Sequence, residues 1–305
     1  MTIKELESKW NTINPYSGGY LLISGEHPLS FHIGYHSNDQ KSFVVLNTGK
    51  VDGLKSSKAI TAECIETDHQ FILRFVLNYP SLDEIFVKLC WDLMESSKTS
   101  PNPVEQIRNQ YSKWMRLFQK ATDDILSSSQ QKGLIGELLY LQESLNGLEP
   151  AEAINAWVGP EGSDQDFIFV HSWAEIKAVS IAATDVQISS LQQLSRKDTG
   201  YLVIYFMDKT TGTGAQTISL PQLIWQIEER LSTDFLHDSF QCKLAQYGYL
   251  RGDEEKYLSS HYRLAECRTY KVMEDFPKLM RPNVPDAVVN TRYQLDLLML
   301  EEWKV

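Results

Sequence analysis

The sequence predicts a mixed α/β (α+β) fold, in which a mixed sheet flanked by helices follows a β-rich N-terminal module. Short apolar runs broken by turn residues fill the region from about residue 10 to 79. Further on, strand-like runs alternate with segments of helical periodicity. The chain has 305 residues, of which 42% are hydrophobic and 23% charged, which is enough for one large or two ordinary domains.

The N-terminal module is predicted to span residues 1–98. Its strand-like runs are Tyr20–Ile23, Phe43–Leu46, Ile60–Ile65 and Phe71–Leu77. Ser81 and Glu84 form a capping-box pattern ahead of apolar residues at helical spacing, so a helix is expected to close the module. The polar segment 96–103 contains two prolines and is predicted to link the module to a second domain, residues 104–305.

The second domain is expected to begin with a helix at 104–120, whose basic face is typical of a solvated surface. A loop is predicted at 127–132, a helix from about Leu134 to Asn146, and a connector at 150–162. The remaining predicted elements are strands at 186–189, 201–207 and 262–272, helices at 219–231 and 235–246, and a strand or edge at 293–300. This alternation predicts a sheet with helices packed against it.

Composition excludes several classes of protein. The sequence has no apolar run of the ~18 residues that a membrane span needs, and the acidic N-terminus does not resemble a secretory signal. The four cysteines are far apart, which predicts reduced thiols in a cytoplasmic protein and excludes a zinc ribbon. The net charge of −11 argues against a surface coated for nucleic-acid binding but leaves room for a local basic groove. A homodimer is compatible with these features.

The stretch from Asp166 to Lys177 is the strongest candidate site. It is predicted to be a hairpin that turns at His171–Ser172, which would place Asp166 opposite Lys177. Because side chains alternate along a strand, Asp166, Glu175 and Lys177 would then share one face. Charges in this setting are costly to bury unless they pair or hold a metal. Asp164, two residues upstream on the same face, is an alternative to Asp166 if the hairpin is longer.

Glu137 lies on the predicted helix that precedes this hairpin. It borders the apolar stripe formed by Leu134, Leu138, Leu141 and Leu145. The simpler interpretation is a boundary glutamate whose carboxylate reaches water. In the functional interpretation it points toward the hairpin and adds a third carboxylate. Oxygen ligands of this kind suit Mg²⁺ or Mn²⁺, and a neighbouring lysine positions water or stabilises charge on a phosphate.

The order Glu137, Asp166 and Glu175-Ile-Lys177 resembles the PD-(D/E)XK nuclease superfamily. Further segments are similar to an uncharacterised bacterial group within it: Gly133–Leu141, Trp157–Pro160, Ile188–Ser190 with Gln193–Leu194, and Val284 to Leu297. The resemblance implies a restriction-endonuclease-like core and a divalent-metal-dependent DNA endonuclease in bacterial restriction or phage defence. Gln165 departs from the pattern, because it stands where the motif has its proline.

The same resemblance implies roles for individual residues. Asp166 and Glu175 would ligate the metal together with the Ile176 carbonyl, and Lys177 would orient water. Glu137 would be an outer or second-metal ligand. Gln193 and Ser190 would contact metal-bound water or phosphate, although capping of a helix explains this polar pair equally well.

A basic stretch near the C-terminus is a candidate DNA-facing patch. Its residues, interleaved with tyrosines, are Arg263, Arg268, Lys271 and Arg281. An alternative function from a different class is a non-catalytic subunit of nuclease fold that binds DNA, or a helicase or methylase partner, within a defence complex.

Overall fold

The computed structural model describes residues 1–23, 25, 27–37, 40–57, 59–67, 70–120, 125–212, 217–250 and 253–305. The chain divides into two compact units. The first comprises Met1–Asp124 and Asp238–Gly248, and the second Ile125–His237 and Tyr249–Val305. Within the described ranges, no helix is both long enough and apolar enough to span a membrane. The domain boundary expected between residues 98 and 104 stays a prediction.

In its described residues, the first unit contains one antiparallel sheet, three whole helices and most of a fourth that begins in the second unit. The whole helices are α1 (Ile3–Asn11), α2 (Asp83–Ser97) and α3 (Pro103–Lys120), and the strands are β1 (Tyr20–Leu22), β2 (Ser30–Tyr35), β3 (Lys41–Leu46), β4 (Ile60–Thr67) and β5 (Gln70–Leu77). The strands are ordered β1-β2-β3-β5-β4. The β-rich module with its closing helix is thus confirmed. The turn between β4 and β5 includes residues 68 and 69, which lie outside the described residues.

The second unit contains a five-stranded mixed sheet and a separate two-stranded one. Its elements are α4 (Ser128–Ser144), α5 (Pro150–Ala156), β6 (Phe167–Ile168), β7 (Ser172–Val179), β8 (Asp185–Ile188), β9 (Thr199–Thr210), β10 (Thr217–Ser219), α6 (Leu220–Glu228), α8 (Glu254–Tyr257), β11 (His261–Val272) and β12 (Tyr293–Asp296), together with the first residues of α7 (Asp234–Tyr247). The large sheet is ordered β10-β11-β9-β7-β6, and β12 pairs with β8. Strands β7 and β9 are parallel, whereas the other pairs are antiparallel. The predicted mixed α/β fold is confirmed.

Most of α7 groups with the first unit, and a buried polar contact explains why. One carboxylate oxygen of Asp92, on α2, accepts hydrogen bonds from Gln110 Nε2 (2.6 Å), Trp114 Nε1 (2.6 Å) and Gln246 Nε2 (3.0 Å). Gln110 and Trp114 lie on α3, and Gln246 lies on α7. This oxygen therefore ties three helices of the first unit together.

The loop predicted at 127–132 is wrong, because α4 already begins at Ser128. The Ser127 side chain accepts a hydrogen bond from Gln130 N, and the Gln130 side chain accepts one from Ser127 N. This reciprocal capping box stabilises the first helical turn. Its Ser-x-x-Gln signature was present in a segment whose polar composition favoured a loop. The connector predicted at 150–162 likewise contains a short helix, α5.

The hairpin turn predicted at His171–Ser172 is also wrong. Strand β6 pairs with β7 through Phe167 opposite Ala174, and Phe169 N donates to Ser172 O at 2.8 Å. The two turn residues are therefore 170 and 171, and Asp166 lies at the level of Glu175 rather than Lys177. A shift of two positions keeps a side chain on the same face, so the predicted common face survives the error in register.

The large sheet is covered on both faces. On one face, an apolar cluster contains Trp173, residues of β9 and β11, and residues of β8, β12 and the C-terminal segment. On the other face, α4 packs closely: a Cβ on Gly136 would lie 3.4 Å from Ile176 and 3.5 Å from Ala178 and Tyr205. Because both faces are covered around the middle of β7, the charged side chain of Glu175 lies in a buried environment.

Gly200, at the start of β9, provides a test of this packing. A Cβ there would lie 2.1 Å from Cζ2 of Trp173, whose indole is fully buried and donates to Asp198 O at 3.0 Å. The indole has no room to retreat, so Gly200→Ala is expected to lower the free energy of unfolding by about 3 kcal/mol. Urea denaturation measures this change.

Gly147→Ala is the matched control, because a Cβ at Gly147 would have no heavy atom within 4 Å. It is expected to change the free energy of unfolding by no more than about 0.5 kcal/mol. Equal losses for the two variants would contradict the proposed clash with Trp173.

Candidate active site

Strand β7 supplies a buried ion pair at the centre of the site. Lys177 Nζ lies 2.7 Å from Glu175 Oε1. Glu175 is 1% exposed, and the Lys177 side chain is 17% exposed. The two residues are two apart on one strand, so the pleat places both on the same face. The second carboxylate oxygen of Glu175 is buried and has no hydrogen-bond partner among the described residues.

Asp166 immediately precedes β6 and is fixed at both its main chain and its side chain. Its Oδ2 accepts a hydrogen bond from Ile176 N at 2.8 Å. Its carbonyl oxygen accepts from Val158 N at 2.8 Å and Gly159 N at 2.9 Å. Asp164, by contrast, is exposed. The short strand β6 thus holds the Asp166 carboxylate beside the backbone between Glu175 and Lys177.

Glu137 reaches the same site from α4. Its Oε2 accepts a hydrogen bond from Trp157 Nε1 at 2.7 Å, and both side chains are buried. A Cβ on Gly159 would lie 2.9 Å from Glu137 Oε2 and 2.9 Å from Asp166 Oδ1. These two carboxylates therefore converge on Gly159, where only a residue without a side chain leaves them room.

A one-turn 3-10 helix, Gln192–Leu194, adds amide groups next to the lysine. Gln193 Oε1 accepts from Ser189 N at 2.7 Å and from Lys177 Nζ at 3.4 Å. Gln193 N donates to Ser190 Oγ at 3.3 Å. Ser190 thus caps the turn, as the simpler interpretation of this pair expects, while the Gln193 side chain reaches Lys177.

Among the described residues, the site gathers three carboxyl groups and one ammonium in a largely buried environment. Burial raises the pKa of Asp166 to about 6, although the Lys177 ammonium and the Ile176 N–H act in the opposite direction. Burial raises the pKa of Glu175 well above its usual range, and the Asp166 carboxylate adds to this rise. Burial acts to lower the pKa of Lys177, but the surrounding carboxylates, Glu175 first, outweigh it and raise the pKa. One ammonium does not balance the carboxylates around it.

A divalent cation fits this donor set. Carboxylate oxygens are the ligands that Mg²⁺ and Mn²⁺ prefer. Glu175 offers a buried oxygen that has no hydrogen-bond partner among the residues that the structure describes. In the described part of the chain, no group of three or more His, Cys, Asp or Glu side chains is gathered closely enough to hold a metal ion. Mg²⁺ sites commonly use one or two protein carboxylates and complete their shell with water and substrate phosphate. Asp166 and Glu175 match that pattern.

The candidate DNA-binding residues are divided between surfaces. Three of them lie on β11, each opposite a residue of β9. Arg263 pairs with Asp208, Arg268 with Ile204 and Lys271 with Tyr201. A bulge between Leu264 and Glu266 interrupts the alternation of β11. Consequently Arg263 and Arg268 point to the same face of the sheet as Glu175 and Lys177, whereas Lys271 points to the other face.

Two of these arginines already make intramolecular contacts. Arg268 Nε and Nη2 each donate to the Glu266 carboxylate at 2.7 Å, and its guanidinium lies over the Phe206 ring. Arg281 donates to the carbonyl oxygens of Val288 (2.7 Å) and Asp286 (2.8 Å), which fixes its own loop. Arg263 is exposed. A DNA-facing role for these residues stays a prediction.

Trp157, Gly159 and Gln165 have no role predicted from the sequence, although the structure places all three at the site. Trp157 and Gly159 belong to a segment noticed only for its resemblance to a family. The physical signal available was a Trp followed two residues later by a Gly-Pro turn, which is compatible with many loops. The indole donor and the lack of room for a Cβ become apparent only in three dimensions.

The Trp157–Glu137 hydrogen bond makes a measurable prediction. Trp157→Phe keeps most of the ring but removes the donor to a buried carboxylate, so the free energy of unfolding is expected to fall by about 1.5–3 kcal/mol. In a Glu137→Leu background the same change is expected to cost much less, because the acceptor is gone. Urea denaturation of the four proteins gives the coupling energy.

Trp225→Phe is the matched control, since Trp225 is 56% exposed on α6. It is expected to change the free energy of unfolding by less than about 0.5 kcal/mol. If Trp157→Phe costs the same with and without Glu137, the hydrogen bond makes no net contribution.

Comparison with known proteins agrees with this geometry. A family model described as "Putative PD-(D/E)XK family member" matches residues 6–298. No curated protein and no solved structure matches the chain. The family match covers nearly the full sequence, including every residue of the site, and indicates a nuclease-like fold. The chain therefore belongs to this PD-(D/E)XK family.

Proposed function

We propose that the protein is a divalent-metal-dependent DNA endonuclease that hydrolyses phosphodiester bonds at the site around Glu175. The observation that carries the proposal is the pairing of a fully buried, partly unsatisfied carboxylate with an ammonium. Glu175 Oε2 has no partner in the described part of the chain, while Lys177 Nζ lies 2.7 Å from Glu175 Oε1. An unsatisfied buried carboxylate oxygen costs stability, which is typical of a functional site.

The proposed roles follow from these contacts. Asp166 and Glu175 would hold Mg²⁺ or Mn²⁺, with the Ile176 carbonyl as a further ligand, and the Ile176 N–H orients the Asp166 carboxylate. When bound, the ion would act as a Lewis acid on the scissile phosphate and offset negative charge in the transition state. The Lys177 ammonium is suited to orient the attacking water and to stabilise charge developing on the phosphate. Glu137 would act as an outer or second-metal ligand.

Asp166 is preferred over Asp164 as the metal-binding carboxylate. Asp166 bonds to the backbone between Glu175 and Lys177, whereas Asp164 is exposed. From the family resemblance we further propose a role in bacterial restriction or phage defence, beside a helicase or methylase subunit. The exposed Arg263, on the same sheet face as Lys177, would contribute to DNA binding.

A non-catalytic subunit of nuclease fold is the second candidate function. Two observations favour it: no ready-made group of three metal ligands exists among the described residues, and Lys177 already pairs with Glu175. In this alternative the ion pair would be structural, and the protein would bind DNA or a partner without cutting. Metal binding and cleavage distinguish the two candidates.

Cleavage of plasmid DNA in the presence of Mg²⁺ or Mn²⁺ tests the proposed activity. Asp166→Asn, Glu175→Gln and Lys177→Met preserve side-chain shape but remove the charges that the reaction requires. Each is expected to lower the cleavage rate by about 100-fold or more. Initial rates are measured by the conversion of supercoiled plasmid to nicked and linear forms.

Lys197→Met is the matched control for Lys177→Met, because Lys197 is exposed and lies outside the site. It is expected to cleave at the rate of the unaltered protein. If the unaltered protein cleaves and all three site variants cleave equally fast, the site assignment is wrong.

Metal binding has a readout that is independent of cleavage. An ion that binds only the folded protein stabilises it by about 2.7 kcal/mol at a concentration 100 times its Kd. Addition of Mn²⁺ is therefore expected to raise the melting temperature of the unaltered protein by several degrees. The rise should be lost in Glu175→Gln, because a neutral amide replaces one of the two carboxylates that would hold the ion.

Glu143→Gln removes an exposed carboxylate from α4 and is the matched control. It is expected to keep the full rise in melting temperature. Absence of any rise in the unaltered protein, with DNA binding retained, would favour the non-catalytic subunit.

A further inference from the structure

Gln165 occupies the position where the family motif has proline, and it is almost fully buried, at 5% exposure. Its side-chain amide points toward the one-turn helix Gln192–Leu194 rather than into the acidic site. Nε2 donates to the carbonyl oxygen of Gln192 at 2.7 Å and lies 3.4 Å from that of Gln193. Gln165 therefore joins the segment that carries Asp166 to the turn that carries Gln193.

Several hydrogen bonds hold the turn. Ser190 Oγ accepts from Gln193 N, and the Gln193 side chain accepts from Ser189 N at 2.7 Å. The Gln192 carbonyl oxygen accepts from Gln165 Nε2 at 2.7 Å and, within the turn, from Ser195 N and Oγ at 3.1 and 3.2 Å. Of these donors to Gln192, Gln165 comes from the segment that carries Asp166. The Gln193 side-chain oxygen is also 3.4 Å from Lys177 Nζ. An amide oxygen can accept two hydrogen bonds, so Gln193 can hold the strand end and the ammonium at the same time.

We propose that Gln165 is a positioning residue for Lys177: it fixes the 192–194 turn so that the Gln193 side chain restrains the Lys177 ammonium next to Glu175. Its relevance to catalysis rests on the proposed nuclease function, whereas the restraint itself does not. Lys177 would thus be held from two sides, by Glu175 through charge and by Gln193 through a neutral acceptor. Two fixed acceptors define the direction of an ammonium group better than one does.

The chemistry of the side chain explains why proline is not equivalent here. Proline has no side-chain donor, so it would leave the Gln192 carbonyl without the bond that Gln165 provides. Leucine has nearly the same size as glutamine but also lacks a donor. Glutamate has the same shape but places acceptor oxygens against two carbonyl oxygens. Of these four side chains, glutamine alone carries a donor that links the segment of Asp166 to the turn.

Amide hydrogen exchange at Ser189 tests the restraint without using activity. The Ser189 N–H is bound by the Gln193 side chain, so its exchange rate reports whether Gln193 stays in place. In Gln165→Leu and Gln165→Glu this rate is expected to rise about tenfold, the effect of losing one hydrogen bond. Amides in the β7–β9 ladder, such as Val203, should keep their protection, which shows that the variants are folded.

The cleavage assay then tests the consequence for Lys177. Gln165→Leu is expected to lower the single-turnover rate about tenfold while the Kd for DNA stays unchanged, because Gln165 would position the reacting group and not the substrate. Added to Gln193→Leu, the same change should lower the rate less than twofold, since both act through one contact. Gln187→Leu, which alters an exposed glutamine on β8, is the matched control and should behave like the unaltered protein.

Four outcomes overturn the proposal. The first three are unchanged Ser189 exchange in Gln165→Leu, unchanged cleavage in that variant despite faster exchange, and full additivity with Gln193→Leu. The fourth is loss of protection throughout β7 and β9, because Gln165 would then stabilise the fold as a whole. If the unaltered protein does not cleave DNA but Ser189 exchange rises as expected, the proposed function fails while the restraint stands.

Discussion

Burial of Glu175 and Lys177 between two covered faces is the constraint on which the site depends. Strand β7 lies next to the central strand β9 of the mixed sheet, with α4 on one face and an apolar cluster on the other. A carboxylate in that position keeps its charge only if neighbouring groups compensate for lost water. At Glu175 this compensation comes from the Lys177 ammonium, 2.7 Å away. The Gln193 oxygen accepts from that same ammonium, and the Ile176 N–H donates to the neighbouring Asp166. Among the described residues, Glu175 Oε2 has no partner, so the compensation is incomplete there.

Around this pair, most supporting contacts are made by neutral groups. The Trp157 indole binds Glu137, the Gln165 amide binds the 192–194 turn, and Gly159 leaves space where two carboxylates converge. Neutral donors fix the direction of a carboxylate without cancelling its charge, so an ion would still be attracted. A second arginine or lysine at any of these points would hold the carboxylates equally well but would compete with a cation.

The fold class and the common face of Asp166, Glu175 and Lys177 could be predicted from sequence because both depend on periodicity. Alternation at period two determines the face. An error of one residue in the turn shifts the strand pairing by two positions, which does not alter the face. The start of α4 could not be placed, because a run of serine and glutamine favours a loop by composition while its capping box favours a helix. No roles could be predicted for Trp157, Gly159 and Gln165. Each of them contacts a side chain that is distant in sequence or binds a main-chain carbonyl oxygen. Periodicity carries no information about such contacts.

The bulge in β11 has a consequence for comparing relatives of this chain. One extra residue between Leu264 and Glu266 reverses the parity of every position after it, so Arg263 and Arg268, five apart, share a face. In a relative that lacks this residue, the basic side chain equivalent to Arg268 would lie on the face of the sheet that α4 covers. Moving that basic residue by one position in the sequence would restore the original face. A single-residue gap at this point in an alignment therefore separates chains whose counterpart of Arg268 lies on the face of Glu175 and Lys177 from chains whose counterpart lies on the opposite face.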